Sequence, residues 1–253
     1  MSIEIVTVPC RSDNYAFLIH AAGKTALVDA PETAPLVAAL EGRGWTLDEL
    51  WLTHHHDDHV SATADLRARF GCSVTGATAD AHRLPPLDRS VNDGDTFTFA
   101  GEDVQVMDVS GHTVGHIAFY IPAASTAFTA DSLMALGCGR VFEGTFDQMW
   151  ASLSKLAVLP PDTTICSGHE YTAANAAFAV TIEPDNPALI SRQSAVAAAR
   201  QQGTPTVPSR LSEELETNPF LRASRPEVKA ALGMSGATDA EVFAEIRRRK
   251  DAF

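Results

Sequence analysis

The first third of the chain is written in short runs of alternating apolar and polar residues. Ile3-Glu4-Ile5-Val6-Thr7-Val8, Tyr15-Ala16-Phe17-Leu18-Ile19 and Thr25-Ala26-Leu27-Val28-Asp29 read as three strands, with Ala22-Gly23-Lys24 as the hairpin turn between the last two. Thr33 to Arg43 carries Leu36, Val37 and Leu40 at helical spacing and stops at Gly44, a residue suited to the position after a helix. Glu49 to Thr53 reads as a short buried strand and Val60 to Phe70 as a helix. Strand text resumes at Ser73-Val74-Thr75, Thr96 to Phe99, Val104 to Val109, Ile117 to Ile121 and Thr126 to Ala130, with Asn92-Asp93-Gly94-Asp95 as a turn. Strands interrupted by helices, rather than alternating strictly with them, predict an α/β fold of two packed sheets with helices outside.

Later in the chain the period changes. Phe146 to Leu159 is an amphipathic helix closed by Pro160-Pro161, and Thr164-Ile165-Cys166 is a last short strand. From Thr172 onward the text is helical. Thr172 to Val180 and Asn186 to Gln202 lead through a Pro/Thr/Ser linker, Gly203 to Ser209, into Leu211 to Glu216, Arg225 to Leu232 and Asp239 to Lys250. The expected division is therefore residues 1–171 as an α/β catalytic domain and 172–253 as a small helical domain laid over its site.

Composition narrows the function classes. With 253 residues, 45% of them apolar, the chain can bury a substantial core. It holds 32 acidic against 19 basic residues, a net charge of −13, which disfavours nucleic acid as a partner. Met1-Ser2-Ile3-Glu4 shows no basic leader, and no apolar stretch approaches a membrane span, so a cytoplasmic protein is expected. The four cysteines (Cys10, Cys72, Cys138, Cys166) are scattered without a C-x-x-C pair and read as reduced, buried small hydrophobes.

The chemistry is concentrated in Thr53-His54-His55-His56-Asp57-Asp58-His59, directly after Leu50-Trp51-Leu52. Neutral imidazoles and ionised carboxylates are what borderline and hard divalent metals accept. An appended His run would lack the interleaved Asp and the preceding strand. At the carboxyl end of a strand, where α/β sheets place their sites, alternate residues of an extended turn face one way. His54 and His56 can thus grip one ion, while Asp58 and His59 face a second position. Three more strand ends carry matching groups. His112 in Ser110-Gly111-His112-Thr113-Val114-Gly115-His116 is the third candidate ligand beside His54 and His56, with His116 either behind the ligands or in the core. Asp131, just past Thr126 to Ala130, can bridge two ions, and His169 in Ser167-Gly168-His169-Glu170-Tyr171 completes the set of Asp58 and His59. Asp29 ends a strand as well, either hydrogen-bonding a ligand imidazole or serving as an ordinary turn or cap residue. The closing Arg247-Arg248-Arg249-Lys250 suits a helix C-terminus and also suits an anion.

The set THHHDDH, GHTVGH, FTADS, GCGRVFEG, GHEYT, NPFLR and RRKDAF resembles glyoxalase II (hydroxyacylglutathione hydrolase) of the metallo-β-lactamase superfamily, over nearly the whole chain. The first motif marks only the superfamily; GHEYT, NPFLR and the basic tail are narrower. The resemblance implies an αββα sandwich followed by an α-helical domain. It implies a binuclear centre, His54, His56 and His112 on one ion, Asp58, His59 and His169 on the other, Asp131 bridging, with zinc as the expected metal and iron or manganese also fitting. It further implies that Arg140, Tyr171, Arg247 and Lys250 hold glutathione. The expected activity is hydrolysis of S-(2-hydroxyacyl)glutathione, chiefly S-D-lactoylglutathione, by a metal-bound hydroxide, with Asp58 and Asp131 in the catalytic set. The expected enzyme is a monomer acting on a small molecule. Departures are Arg140 for Lys, Phe142 for Tyr and Ala130 for Gly. A persulfide dioxygenase would need one iron, a nuclease a basic face, and a binding module would have shed ligands.

Overall fold

The computed structural model of the protein describes residues 3–253. The reading of a leaderless opening rests partly on Met1 and Ser2, which lie outside the described residues. The chain forms two compact units. The first runs to Asp108 and takes in Val114–Thr129; the second comprises Val109–Thr113 and Ala130–Phe253. Among the described residues no helix is long and apolar enough to cross a membrane.

The first unit opens with β1 (Glu4–Cys10), β2 (Asn14–Ala21), β3 (Lys24–Val28), α1 (Thr33–Glu41) and β4 (Glu49–Trp51). There follow α2 (Asp57–Val60), α3 (Thr63–Phe70), β5 (Ser73–Ala77) and β6 (Arg89–Val91). The six strands form one sheet in chain order. β1, β2 and β3 pair antiparallel, and β3, β4, β5 and β6 pair parallel. The parallel part needs crossovers, which α1 and the α2–α3 pair supply. Leu36 and Leu40 of α1 and Leu66 of α3 are buried with Leu18, Leu27, Leu50 and Val74 of the sheet. An antiparallel run follows: β7 (Thr96–Phe99), β8 (Glu102–Asp108), β9 (Ile117–Ile121) and β10 (Thr126–Ala130). Trp51 of β4 sets its indole edge-on to Phe97 and Phe99, with centroids at 5.2 and 5.4 Å, and meets Phe119 at 5.5 Å. Aromatic edges of this kind favour the T-shaped contact and join the two sheets within the unit.

The expected helix over Val60 to Phe70 is two helices. Ala62 N–H donates to the carbonyl of Ala30 at 2.9 Å and Ser61 Oγ to that of Pro31 at 2.8 Å, so the chain leaving β3 breaks the helix at residues 61 and 62. Asp57, Asp58 and His59, expected on the turn before the helix, form its first turn. The strand β6, bounded by polar residues, lacks the alternation that would have announced it.

The second unit contains the hairpin β11 (Leu133–Met134) and β12 (Gly137–Cys138), then α4 (Phe146–Ala157) and β13 (Thr164–Ser167). α5 (Thr172–Ile182), α6 (Pro187–Gln201), β14 (Ser209–Arg210), α7 (Leu211–Thr217), α8 (Pro226–Ala231) and α9 (Asp239–Ala252) complete it. Two helices carry full capping boxes, Thr145 with Gln148 and Thr238 with Glu241. The NPFLR segment is an internal anchor. Asn218 donates to the carbonyls of Met134 and Gly137 at 3.1 and 2.9 Å, which holds the β11–β12 hairpin. Arg222 pairs with both oxygens of Glu183 at 2.8 and 2.9 Å, and Phe220 packs between Phe178 and Phe243. The linker expected over residues 203–209 ends as β14, paired antiparallel with β13.

Candidate metal centre

In the first unit β4 delivers the chain to Leu52, whose N–H donates to the Thr75 carbonyl at 2.8 Å. Thr53 comes next, and its carbonyl accepts from Ile117 N–H at 3.0 Å. His54, His56, Asp58 and His59 therefore leave from a backbone fixed on both sides. Asp29, turned into the left-handed region at φ 60°, is 2% exposed and points back into this loop. Its Oδ1 accepts Thr53 N–H at 2.9 Å; its Oδ2 accepts Thr53 Oγ1–H at 2.9 Å and lies 2.8 Å from His59 Nδ1. A carboxylate only accepts, so His59 carries its proton on Nδ1 and keeps the Nε2 lone pair for a ligand bond. Thr53 Oγ1 has its proton engaged in the hydrogen bond it donates to Asp29. At 3.0 Å from His54 Nδ1 it therefore accepts, and His54 too presents a bare Nε2, 3.2 Å from His56 Nδ1. One buried carboxylate thus sets two tautomers, and of its two expected roles Asp29 shows the hydrogen bond to an imidazole that is a candidate ligand. Glu32, not Asp29, is the N-cap of α1.

Neighbouring groups steady the rest of the loop. Asn14 donates to the Asp58 carbonyl at 3.1 Å and to Asp58 Oδ2 at 3.0 Å, and that oxygen stands 3.6 Å from His59 Nε2. His116 stacks on His54 with centroids 4.6 Å apart, so it packs behind a candidate ligand. His55 turns away, its Nδ1 2.9 Å from Oδ2 of the fully buried Asp80, which also accepts from Arg83 Nε at 2.7 Å. Asn14 and Asp80 were not among the expected site residues. Only Asn14 left a trace in the sequence, as a polar residue standing just before the apolar run Tyr15 to Ile19.

The second unit gathers His112, Asp131 and His169. His112 Nε2 lies 3.4 Å and His169 Nε2 3.3 Å from the same oxygen, Asp131 Oδ2. His112 Nδ1 is 2.7 Å from the Arg140 carbonyl and must donate to it, which leaves Nε2 a lone pair facing a carboxylate oxygen. Two acceptors at that distance repel unless a cation or a second proton stands between them. The donor set fits a divalent metal, imidazole nitrogen with carboxylate oxygen around one point. Close packing holds this group together. A Cβ on Gly139 would fall 1.9 Å from the Asp131 carbonyl oxygen and 3.1 Å from His112 Nδ1. Gly168 N–H donates to the Ala130 carbonyl at 3.0 Å, and Ala130 itself takes φ 40°, a backbone better suited to glycine.

The expected glutathione contacts fall in the same unit. Tyr171 is 41% exposed and stacks on His169, rings 5° from parallel and 4.7 Å apart. Arg140 reaches solvent, with its guanidinium 5.8 Å from the ring of the exposed Phe142. Lys250 donates to the Ala174 carbonyl at 3.1 Å and lies 5.3 Å from the Phe178 and Phe253 rings. Its partial burial, helped by the charge of Arg247, pulls its pKa below the ordinary lysine value. Arg247 is buried, donating Nη1 to the Cys138 carbonyl at 3.0 Å over the Phe220 ring. All four cysteines are buried thiols outside any disulfide, and burial pushes the Cys138 thiol up to about 11, which makes it inert as a nucleophile.

Residues 11–169 match the family model described as "Metallo-beta-lactamase superfamily", and residues 170–253 match "Hydroxyacylglutathione hydrolase C-terminus". A protein of Ruegeria pomeroyi named hydroxyacylglutathione hydrolase is 65% identical over 100% of both chains. A namesake from Cereibacter sphaeroides is 61% identical, again over 100% of each. Among solved structures, the BLEG-1 B3 metallo-beta-lactamase is 19% identical with a TM-score of 0.68, over 86% of this chain and 99% of that one; that likeness speaks for the fold.

Proposed function

From the premise that the chain belongs to the hydroxyacylglutathione hydrolases of the metallo-β-lactamase superfamily, and is thus a thioester hydrolase with the α/β fold its sequence led us to expect, we propose that it cleaves S-(2-hydroxyacyl)glutathione at a binuclear metal centre. His54, His56 and His112 would hold one ion, Asp58, His59 and His169 the other, and Asp131 would lie between them. We take S-D-lactoylglutathione as the chief substrate and zinc as the metal, with iron and manganese as alternatives. Residues 1–171 would carry the chemistry and residues 172–253 most of the peptide contacts. The proposal extends to a monomer in the cytoplasm without nucleic acid partners; the buried cysteine thiols support the compartment and the net charge of −13 the absence of nucleic acid.

The observation that carries the reading is the pair of imidazole nitrogens, His112 Nε2 and His169 Nε2, 3.4 and 3.3 Å from one oxygen of Asp131. Bound there, two divalent ions would lower the pKa of a water toward neutrality and polarise a carbonyl. The protein's own groups do the rest. Asp29, through His59 and through Thr53 to His54, keeps ring protons off the ligand nitrogens. Asn14 fixes the Asp58 carboxylate, and the Arg140 carbonyl fixes His112. Tyr171, Arg140, Lys250 and Arg247 orient the peptide. The departing thiolate needs little acid help, since a thiol of pKa ~8.5 is already a fair leaving group.

The test joins metal analysis to a substrate comparison. Dialysis against a chelator is expected to abolish hydrolysis of S-lactoylglutathione, and added metal to restore it, with near two ions per active chain. Turnover by metal-free protein, or full activity with one ion, would end the binuclear reading. Faster turnover of a β-lactam or a lactone would end the substrate assignment.

A further inference from the structure

The basic tail of α9 faces an anion that the chain supplies itself. Asp251 follows Lys250, and its Oδ1 accepts from Arg247 Nε at 3.1 Å and from Arg247 Nη2 at 2.8 Å. Arg140 Nε stands 3.6 Å from that same oxygen. Two guanidinium groups that the proposed function assigns to the peptide of the substrate therefore already share a carboxylate. Their situations differ. The Arg247 side chain is 6% exposed and tied to Cys138 and Phe220 as well; that of Arg140 is 59% exposed, with its guanidinium 5.8 Å from the Phe142 ring. Arg248 and Arg249 lean toward Glu245, at 3.6 and 2.9 Å, whereas Arg140 and Arg247 meet Asp251, whose charge also acts on Lys250.

We infer that Asp251 is a built-in counter-ion of the glutathione subsite, a positioning residue that holds Arg247 against the β12 loop and sets how strongly Arg140 takes an incoming carboxylate. The inference rests on the proposed function for its ligand. Its physical sense lies in where the carboxylate sits. A peptide carboxylate far from the scissile bond is the same group in substrate and in released glutathione, so a tight grip would strengthen both complexes alike and add nothing to the chemical step. A negative charge fixed inside the subsite lowers that uniform grip and lets the product leave.

Asp251→Asn separates charge from shape, because its carbonyl oxygen can still accept from Arg247. One like charge removed at roughly 4 Å in a water-like dielectric strengthens carboxylate binding about fivefold. Asp251→Asn is therefore expected to lower KM for S-lactoylglutathione, and the inhibition constant of S-methylglutathione, about fivefold, with the gain shrinking as salt rises. The diethyl ester of S-methylglutathione, both carboxylates blocked, should show no gain. Arg140→Gln, which leaves the Asp251–Arg247 pair in place, should weaken S-methylglutathione and not its ester, and serves if the first variant melts early. An unchanged or raised KM in a normally folded Asp251→Asn protein, or an equal effect on the ester, would overturn the inference and leave the hydrolase reading standing. A wild-type protein that neither binds S-methylglutathione nor turns over the thioester would overturn both.

Discussion

Replacing Asp29 by Asn changes one atom and should cost the protein much of its metal. Asp29 accepts three donors: Thr53 N–H on Oδ1, and Thr53 Oγ1–H and His59 Nδ1–H on Oδ2, at 2.8 to 2.9 Å. Asn keeps an oxygen for the backbone donor and turns an NH₂ toward the other two. His59 escapes the clash only by moving its proton to Nε2, the nitrogen needed for a metal. Thr53 Oγ1, now receiving from the amide, must point its own proton at His54 Nδ1, which drives the His54 proton to Nε2 also. Each such change behind a ligand costs about 10- to 100-fold in metal affinity, roughly 1.4–2.8 kcal/mol. The backbone does not confound the result, because Asn tolerates the φ of 60° at this position. Alanine would strand three buried donors at about 1–3 kcal/mol each and add left-handed strain of about 1–2, a sum comparable with the whole stability of a domain. Asn is thus the informative variant. Competition against a chromophoric chelator gives the affinity, and urea unfolding of the metal-free protein confirms the fold. Affinity within twofold of wild type in a folded Asp29→Asn protein would refute the tautomer argument.

Two further outcomes follow from the second unit. Gly139→Ala pushes a methyl to within 1.9 Å of the Asp131 carbonyl oxygen, so either Asp131 or the β12 loop must shift. Overpacking of this kind costs about 1–3 kcal/mol, and a displaced Asp131 should leave the protein short of metal by elemental analysis. Full metal content and full activity would show that the close approach is dispensable. The lowered pKa of Lys250, caused first by burial and then by Arg247, has a sign that can be checked. Between its folded value and the ordinary lysine value of about 10.4 the unfolded chain binds the extra proton, so unfolding free energy rises with pH across that window. Over the same window the neutral amine stops attracting a carboxylate, and KM for the thioester should climb. If KM and stability stay flat in wild type as in Lys250→Met, Lys250 has no part in binding.

What the sequence disclosed depended on whether a signal was local. β2 and β9 could be read because their apolar residues are contiguous, and α4 because its buried residues keep one period and Pro160 closes it. The break between α2 and α3 could not, since Ala62 and Ser61 bond Ala30 and Pro31, some thirty residues away. The same distinction governs the candidate ligands. His54 to His59 stand together in the text, and His112, Asp131 and His169 each mark the end of a strand, so spacing and residue type sufficed to nominate them. Their supports do not repeat any pattern. Asn14 reaches Asp58 from 44 positions back, and Asp80 reaches His55 from 25 ahead. Asp251 is the clearest case. At a helix C-terminus after four cations it reads as an ordinary flanking charge. Only the fold, by bringing Arg140 from a loop 111 positions away, gives that carboxylate a second guanidinium and with it a part in binding. Residues that hold metal are constrained by the ion's chemistry and betray themselves by type. Residues that set a proton or a local charge are constrained by one neighbour's position, and composition and spacing carry no record of that.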